Sequence, residues 1–322
     1  MPTVEFEGNL IEAEDGETVL SALLRHGVDV GHGCQAGACQ SCLLRAPAAA
    51  PPTAQKGLDD TVAEAGGFLA CMAKAKDVPS ATRFDPDYFP TYAADLVEKR
   101  ALSATVLLVR LAVPELPRCP GRFVQLTGPT GVRRPYSVAT SALDANGLVD
   151  FHVRLIPGGE MSEALLQAMP GDKFSIQGPY GKCCYRPGEP CAQILLIGSG
   201  TGLAPLYAVA TDALSQGHTG RIEVFFGASS PEGLYFLDEL RCLAASYPNL
   251  AVTVCVDAGP LEGQSLGSPL QHALQAIPDM ADTTVYSCGH PALVKAAQRQ
   301  CFLAGASMKR IFVDAFEPAG RA

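Results

Sequence analysis

The sequence has no tryptophan and little charge: Asp, Glu, Lys and Arg together make only 18% of its 322 residues. With 48% hydrophobic types, the chain carries too much apolar material to remain disordered. Positive charge is in deficit, 24 Lys+Arg against 33 Asp+Glu for a net charge of −9, the wrong sign for a nucleic-acid binder. No uncharged apolar run approaches the ~18 residues that a membrane helix needs. The stretch from Met1 to Glu14 has four acids and no base, so no export or transit signal is expected there. Internal repeats and low-complexity tracts are missing as well. These absences predict a cytoplasmic globular protein with neither nucleic acid nor membrane among its partners. Its length exceeds what one core fills, so two or three domains are expected.

Cysteine, by contrast, is abundant: there are twelve. In a small secreted chain such a number suggests a disulfide framework, but in a chain of this length without a leader it points to reduced thiols, a metal site, or both. Proline marks the joints. Ala46 to Thr53 reads as a loop within the first domain, whereas Pro86 and Pro90 in Phe84-Asp-Pro-Asp-Tyr-Phe-Pro90 interrupt both helix and sheet and suit a linker. A further joint is expected at Arg186-Pro-Gly-Glu-Pro190. The resulting segments are 1–85, 92–187 and 190–322. The first holds 12 acids and 6 bases, so 6 − 12 = −6 of the total charge sits there.

Each segment has its own periodicity. The first opens with a short strand at Val4 and Phe6 and a helix near Thr18 to His26, with Val19, Leu20, Leu23 and Leu24 on one face. The second is strand-rich, with β-branched or alternating runs at Thr105 to Val113, Arg122 to Leu126 and Gly147 to Ile156, a pattern that suits an antiparallel barrel. The third repeats a short apolar strand followed by a helix four times: Ile194–Ile197 and Leu203–Ser215; Ile222–Phe226 and Leu234–Ala245; Val252–Val256 and Leu270–Ile277; Thr284–Ser287 and Ala292–Ala304. Four βα units predict a doubly wound parallel sheet.

Four cysteines of the first segment are spaced Cys34-x4-Cys39-x2-Cys42, with Cys71 following after 28 residues. Three thiolates on one tight loop can wrap two irons, and Gly31, Gly33 and Gly37 let backbone amides approach the cluster. This is the plant-type [2Fe–2S] spacing. Zinc is the alternative metal, although zinc sites favour two Cys-x2–4-Cys pairs with a structured spacer between them. Cys34-Gln-Ala-Gly-Ala-Cys-Gln-Ser-Cys42 and Leu69-Ala-Cys-Met72 resemble the cluster loop of plant-type ferredoxin domains, which implies a β-grasp fold. Gln40 stands where many members of that family have glycine, and His32-Gly33 precedes the loop.

In the second segment, Arg134-Pro-Tyr-Ser137 sets a guanidinium, an aromatic ring and a hydroxyl on alternating sides of an extended backbone. Around it come Pro120-Gly-Arg-Phe-Val124, His152-Val-Arg154, Gly158-Gly-Glu-Met-Ser162, Gly171-Asp172 and Gly178-Pro-Tyr-Gly181. Together they resemble the FAD domain of the ferredoxin–NADP reductase superfamily. The resemblance implies that Arg134 binds the FAD pyrophosphate, with Pro135 beside it, that Tyr136 stacks on the isoalloxazine, and that Ser137 hydrogen-bonds near flavin N5. It further implies that His152, Val153 and Arg154 line the flavin, with Gly159, Met161 and Ser162 at the pyrophosphate. A packed strand histidine is the alternative for His152.

In the third segment, Ile194-Leu-Leu-Ile197 runs into Gly198-Ser-Gly-Thr-Gly202-Leu-Ala-Pro205. A strand, a glycine loop and a helix N-terminus make an anion site from backbone amides and the helix dipole. The loop departs from G-x-G-x-x-G at Leu203 and is similar to the glycine loop of the same superfamily. That likeness implies that Gly198, Gly200 and Gly202 contact the dinucleotide, with Thr201 beside the nicotinamide. Gly227-Ala-Ser-Ser230 and Cys288-Gly-His-Pro291 fall at strand carboxyl ends, where open α/β sheets bind ligands. Cys288 is expected against the nicotinamide, a buried structural thiol being the alternative. Ser229, Ser230 and Glu232 stand where a 2′-phosphate would need a cation, so NADH is expected over NADPH. Asp314-Ala-Phe316 resembles tails that place an aromatic near the flavin.

A nicotinamide delivers two electrons at once and a [2Fe–2S] cluster takes one, so a flavin between them is required by electron counting. The whole chain resembles the reductase component of bacterial multicomponent oxygenases. That resemblance implies an enzyme with Tyr136, Ser137, Thr201 and Cys288 at the reacting centre, Cys34, Cys39, Cys42 and Cys71 as iron ligands, and a terminal oxygenase or its ferredoxin as electron acceptor. Six histidines offer no Rieske or 2-His-1-carboxylate set, which leaves oxygen activation to a partner. Two alternatives are the same chemistry serving a deoxysugar-type acceptor and a redox sensor without turnover. The acidic first segment suits docking to a basic patch or, more simply, solubility. The seven cysteines without a pattern (119, 183, 184, 191, 242, 255 and 301) are expected to be packed thiols.

Overall fold

A computed structural model of the chain describes residues 2–32, 35–37, 40–48, 50–58, 62–63, 65–85, 89–141, 147–187 and 193–316. Their contacts divide into two compact units, one ending at Pro90 and the other running from Thr91 to Phe316. Cys34, Cys39, Gly33 and Cys191 lie outside the described residues. Among the described residues, no helix is long and apolar enough to cross a membrane.

The first unit is a β-grasp. Strands β1 (Thr3–Phe6), β2 (Asn9–Glu12), β3 (Leu43–Arg45), β4 (Gly67–Leu69) and β5 (Ser80–Arg83) form one mixed sheet in the order β2-β1-β5-β3-β4. Helix α1 (Val19–Arg25) starts where Thr18 accepts the Ser21 amide on its hydroxyl at 3.1 Å, and it buries Val19, Leu20, Ala22 and Leu23. Those residues share one core with Val4 and Phe6 of β1, Leu44 of β3, and Phe68 and Leu69 of β4.

The second unit begins with six antiparallel strands: β6 (Thr91–Ala101), β7 (Val106–Ala112), β8 (Phe123–Thr127), β9 (Arg133–Ser137), β10 (Leu148–Arg154) and β11 (Lys173–Tyr180), in the order β10-β7-β6-β11-β8-β9. The two edge strands meet just beyond β9, where the Ala139 amide donates to the Asp150 carbonyl at 2.8 Å, and this closes the sheet into a barrel. Helix α2 (Glu160–Gln167) plugs one end with Met161 and Leu165. Strand β6 escapes the hydrophobic pattern because Asp95, Glu98, Lys99 and Arg100 interrupt it and a bulge shifts its register between Leu96 and Glu98.

The remainder of the unit is the doubly wound sheet. Strands β12 (Gln193–Ser199), β13 (Arg221–Ala228), β14 (Leu250–Val256), β15 (Ser265–Leu266), β16 (Thr283–Gly289) and β17 (Ile311–Ala315) run parallel in the order β15-β14-β13-β12-β16-β17. Helices α3 (Leu203–Ser215), α4 (Leu237–Ser246), α5 (Pro269–Ala276) and α6 (Pro291–Leu303) pack on its faces. Helix α4 begins three residues later than its pattern predicts. Phe236 adopts a left-handed φ of 60° that breaks the helix, and Leu234 and Tyr235 are buried in a separate cluster with Val106, Leu203 and Phe226.

Barrel and parallel sheet share a packed joint. Arg118, between β7 and β8, pairs with the buried carboxylate of Asp212 on α3 and donates to Ser215 Oγ at 2.8 Å. Gly121, at φ 78°, sits where a Cβ would lie 2.5 Å from the Cys183 carbonyl and 2.6 Å from Val209 of α3, so no side chain fits there. Arg122 donates to the carbonyls of Gly181 (3.0 Å) and Pro179 (3.1 Å) and fastens the loop that ends β11.

Candidate functional site

In the first unit the hairpin register brings the last cysteine of the loop beside the distant one. Leu43 pairs with Leu69, and the Ala70 amide donates to the Cys42 carbonyl at 3.0 Å, which puts Cys42 and Cys71 on neighbouring backbone. Both are buried. The loop is folded tightly: a Cβ on Gly31 would lie 2.8 Å from the Ser41 carbonyl, and one on Gly37 would lie 2.9 Å from Met72 Cγ. Gln40 is held at φ 60° and its side-chain amide donates to the Gly57 carbonyl at 2.8 Å, which fastens the loop from outside. Two buried cysteines on neighbouring backbone, with Gly31 and Gly37 packed too closely to carry a side chain, fit a [2Fe–2S] cluster held by sulfur.

In the second unit β9 is an edge strand, so Pro135, which has no N–H to give, is tolerated there. Arg134 and Tyr136 are half-buried, while Ser137 is buried. Burial pushes the Tyr136 phenol up to about 12, against the pull of Arg134, so it stays neutral at physiological pH. Arg134 reaches the start of α2, where it pairs with the exposed Glu160 at 3.0 Å. Gly159 caps that helix without a side-chain bond, Met161 turns its sulfur toward Gly128, and Ser162 Oγ accepts the Ile156 amide at 2.8 Å. Backbone amides of the first turn, together with the Arg134 cation, are what this corner offers to an anion, and they fit a pyrophosphate.

Strand β10 divides its three expected residues. Val153 is in the barrel core, and Arg154 is exposed near Gly200, whose Cβ position is 3.9 Å from a guanidinium nitrogen. His152 is buried between the rings of Tyr235 (5.4 Å) and Phe236 (4.7 Å), with Nδ1 at 3.1 Å from the Tyr235 hydroxyl. Desolvation, aided by Arg100, lowers its pKa to about 3, and burial raises that of Tyr235, so the pair is neutral.

At the carboxyl ends of the parallel strands, Gly200 to Gly202 turn tightly into α3. A Cβ on Gly198 would lie 2.6 Å from Leu206, and one on Gly202 would collide with the Cys288 carbonyl and lie 2.7 Å from Gly289 Cα. Thr201 is half-buried, and Ser229 is exposed at the end of β13. The Ser199 hydroxyl accepts the His290 amide at 3.1 Å, tying the loop to the turn after β16. Bare backbone at a helix start and at strand carboxyl ends fits a dinucleotide.

The structure joins these pieces through residues that the sequence pattern passed over. Ser137 Oγ donates to Asp314 Oδ2 at 2.8 Å, a buried bond between barrel edge and parallel sheet. Asp314 is level with Cys288 in the register of β16 and β17, and its amide bonds the Cys288 sulfur. The Phe316 amide donates to the Gly289 carbonyl at 2.8 Å, which fastens Phe316 to the same strand. In the sequence Asp314 stands only as part of a tail, Cys183 only among the packed thiols and Tyr235 without a role; no spacing pairs them with Ser137, Cys288 or His152.

Three family models match in chain order. They are a 2Fe-2S iron-sulfur cluster binding domain over residues 3–76, an oxidoreductase FAD-binding domain over 93–185 and an oxidoreductase NAD-binding domain over 196–299. Fold, site and models together define an oxidoreductase that uses FAD, a [2Fe–2S] cluster and NAD(H). Among curated proteins, the reductase subunit of an aromatic O-demethylase from Amycolatopsis sp. (strain ATCC 39116 / 75iv2) is 30% identical over 98% of both chains. The naphthalene 1,2-dioxygenase system ferredoxin–NAD(P)(+) reductase component of Pseudomonas putida is 29% identical over 98% of both. Among solved structures, Amycolatopsis cytochrome P450 reductase GcoB superposes with a TM-score of 0.70 at 26% identity, covering 99% of this chain and 100% of that one. The chain belongs to the family of ferredoxin–NAD(P) reductase components of multicomponent oxygenases.

Proposed function

We propose that the chain takes a hydride from NADH at the carboxyl ends of β12 and β16 and hands the electrons out singly, through residues 1–85, to a terminal oxygenase or its ferredoxin in the cytoplasm. The observation that carries this reading is the Ser137–Asp314 bond, which makes the edge of the flavin barrel and the nicotinamide end of the sheet one continuous wall. The functional divisions we assign are 1–85 for the cluster, 92–187 for FAD and 190–322 for NADH.

When bound, FAD converts a two-electron hydride into single electrons and the [2Fe–2S] cluster passes them outward one at a time. The protein positions and tunes. Cys34, Cys39, Cys42 and Cys71 hold the irons. Arg134 leaves its exposed carboxylate partner to neutralise a phosphate, a charge-assisted contact that outweighs a solvated pair. Tyr136 presents a neutral ring. Ser137 commits its proton to Asp314 Oδ2, which fixes the hydroxyl and leaves its oxygen lone pairs to accept. Thr201, Gly198, Gly200 and Gly202 cradle the dinucleotide, and Cys288, with no solvent exposure, closes the wall against water. Ser229 and Ser230 offer no cation, and a hydrogen bond from Ser230 holds the Glu232 carboxyl below its ordinary range, so an anion stands where a 2′-phosphate would lie. This favours NADH. Readings with a deoxysugar-type acceptor or a sensor without turnover are not favoured, because the relatives above are components of oxygenase and demethylase systems.

The test is an anaerobic titration of the purified chain with NADH, followed by absorbance. Flavin and cluster bands should both bleach, and NADPH should need at least about tenfold more reductant concentration for the same rate, the ratio that ~1.4 kcal/mol of discrimination gives. In Cys42→Ser the cluster band should vanish while flavin bleaching persists. Loss of both would defeat the modular reading.

A further inference from the structure

We propose that Cys183 is a positioning residue for the Cys288 thiol. The inference rests on the placement of Cys288 at the nicotinamide wall.

Cys183 follows the loop that ends β11 and has no part in the flavin corner. Its sulfur nevertheless lies 3.4 Å from Cys288 Sγ, within thiol hydrogen-bonding distance, and both side chains are buried. The two residues arrive from opposite sides of the joint, one from the barrel and one from the end of β16. Cys183 has little freedom to move. Its carbonyl presses on Gly121, the Cys184 carbonyl accepts the Tyr286 hydroxyl at 3.0 Å, and the Cys184 amide donates to the Lys182 carbonyl at 2.9 Å. Tyr286 stands two residues before Cys288 on the same face of β16, so the clamp on Cys183 and the thiol it faces share one strand.

Around the Cys288 sulfur the bonding is therefore defined. The Asp314 backbone amide bonds this sulfur, and the Cys183 thiol, 3.4 Å away, is a second partner. Burial and the Asp314 carboxylate both push the Cys288 thiol well up, so it keeps its proton, and that proton needs a place to go. A sulfur held between two partners has one orientation. Without Cys183 the thiol keeps its Asp314 partner but its S–H loses the group that faces it, and the orientation of the wall is relaxed although every residue touching the dinucleotide remains. Because the thiol stays protonated, the role is steric and orienting, with no covalent step.

The test is a double-mutant cycle on the full, flavin-loaded chain, combined with infrared spectroscopy of its S–H stretch without NADH. The Cys288 band is taken from the difference between the parent and Cys288→Ala. In Cys183→Ala that band should shift, and the limiting rate of anaerobic flavin bleaching should fall about tenfold with the NADH half-saturation concentration within about twofold, the pattern of a lost transition-state orientation. Cys183→Ser, which keeps a hydrogen-bonding group and guards against a folding defect, should retain most of the rate. Adding Cys183→Ala to Cys288→Ala should cost nothing further. An unmoved band, or losses that simply add, would overturn the positioning role. A moved band together with a Cys288→Ala rate equal to the parent would instead overturn the placement of Cys288 at the nicotinamide wall.

Discussion

The cluster site and the flavin–nicotinamide site are built over very different lengths of chain. In the first unit a single hairpin, β3 with β4, sets Cys42 beside Cys71, and three of the four expected ligands fall within nine residues. In the second, Ser137 meets Asp314 across 177 positions, Cys183 meets Cys288 across 105, and His152 meets Tyr235 across 83. A site made by local winding depends on its loop. A site made by distant contacts depends on the joint between barrel and sheet, and is damaged wherever that joint is damaged.

The comparison is broken most forcefully at Gly202. Gly202→Ala drives a methyl into the backbone of Cys288 and Gly289, which cannot rotate aside, so NADH-driven flavin bleaching should fall by well over tenfold while the cluster band is unchanged. Gly200→Ala meets only Arg154, at 3.9 Å, and its cost is the left-handed φ of 54°, ~1 kcal/mol. Stopped-flow bleaching of the two variants checks the order; equal losses would mean that the glycine loop is not pressed on β16.

His152 tests the joint through pH. Its folded pKa of about 3 lies below the ordinary 6.5, so as pH falls the unfolded chain takes the proton first. The associated stability is complete above pH 6.5 and is lost toward pH 3, at ~1.4 kcal/mol per unit. The urea midpoint for flavin release should therefore drop between pH 7 and 4.5, and less steeply in His152→Asn. Parallel slopes in the two proteins would remove His152 from the joint.

The smallest effect is expected in the first unit. Glu17 is held below its ordinary pKa of 4.5 chiefly by the Arg25 guanidinium, 2.8 Å away, so its contribution is present above pH 4.5 and is lost as pH falls through the lowered value. Arg25 faces solvent, and such pairs contribute little. Glu17→Gln should shift the midpoint of thermal cluster bleaching less than His152→Asn shifts flavin release. A larger shift would mean that the first unit also depends on a single contact.

What could be read from the sequence follows the same division. The cluster spacing needed no fold, since its chemistry is written within one loop and one distant cysteine. The four βα units were visible because parallel strands buried on both faces read as apolar runs, and α3 matched its pattern from Leu203 to Ser215. Strand β6 was hidden by its charges, and β17 by lying beyond the last helix. Asp314 and Cys183 could not be found from spacing at all, because only the packing of barrel on sheet gives either one its partner. Of the thiols expected to be packed, Cys119, Cys183, Cys255 and Cys301 are buried, whereas Cys242 is exposed on α4, where helical periodicity turns it outward.

Gly121 limits how this architecture can be recombined. With the Cys183 carbonyl on one side and α3 on the other, it accepts no side chain and no change of spacing. A chimera spliced between residues 187 and 193 would inherit the barrel half of that contact from one parent and the helix half from another. Barrel and parallel sheet should therefore be inherited, exchanged or engineered as a pair, with the surfaces at 118–122, 183–185 and 205–215 kept from the same source.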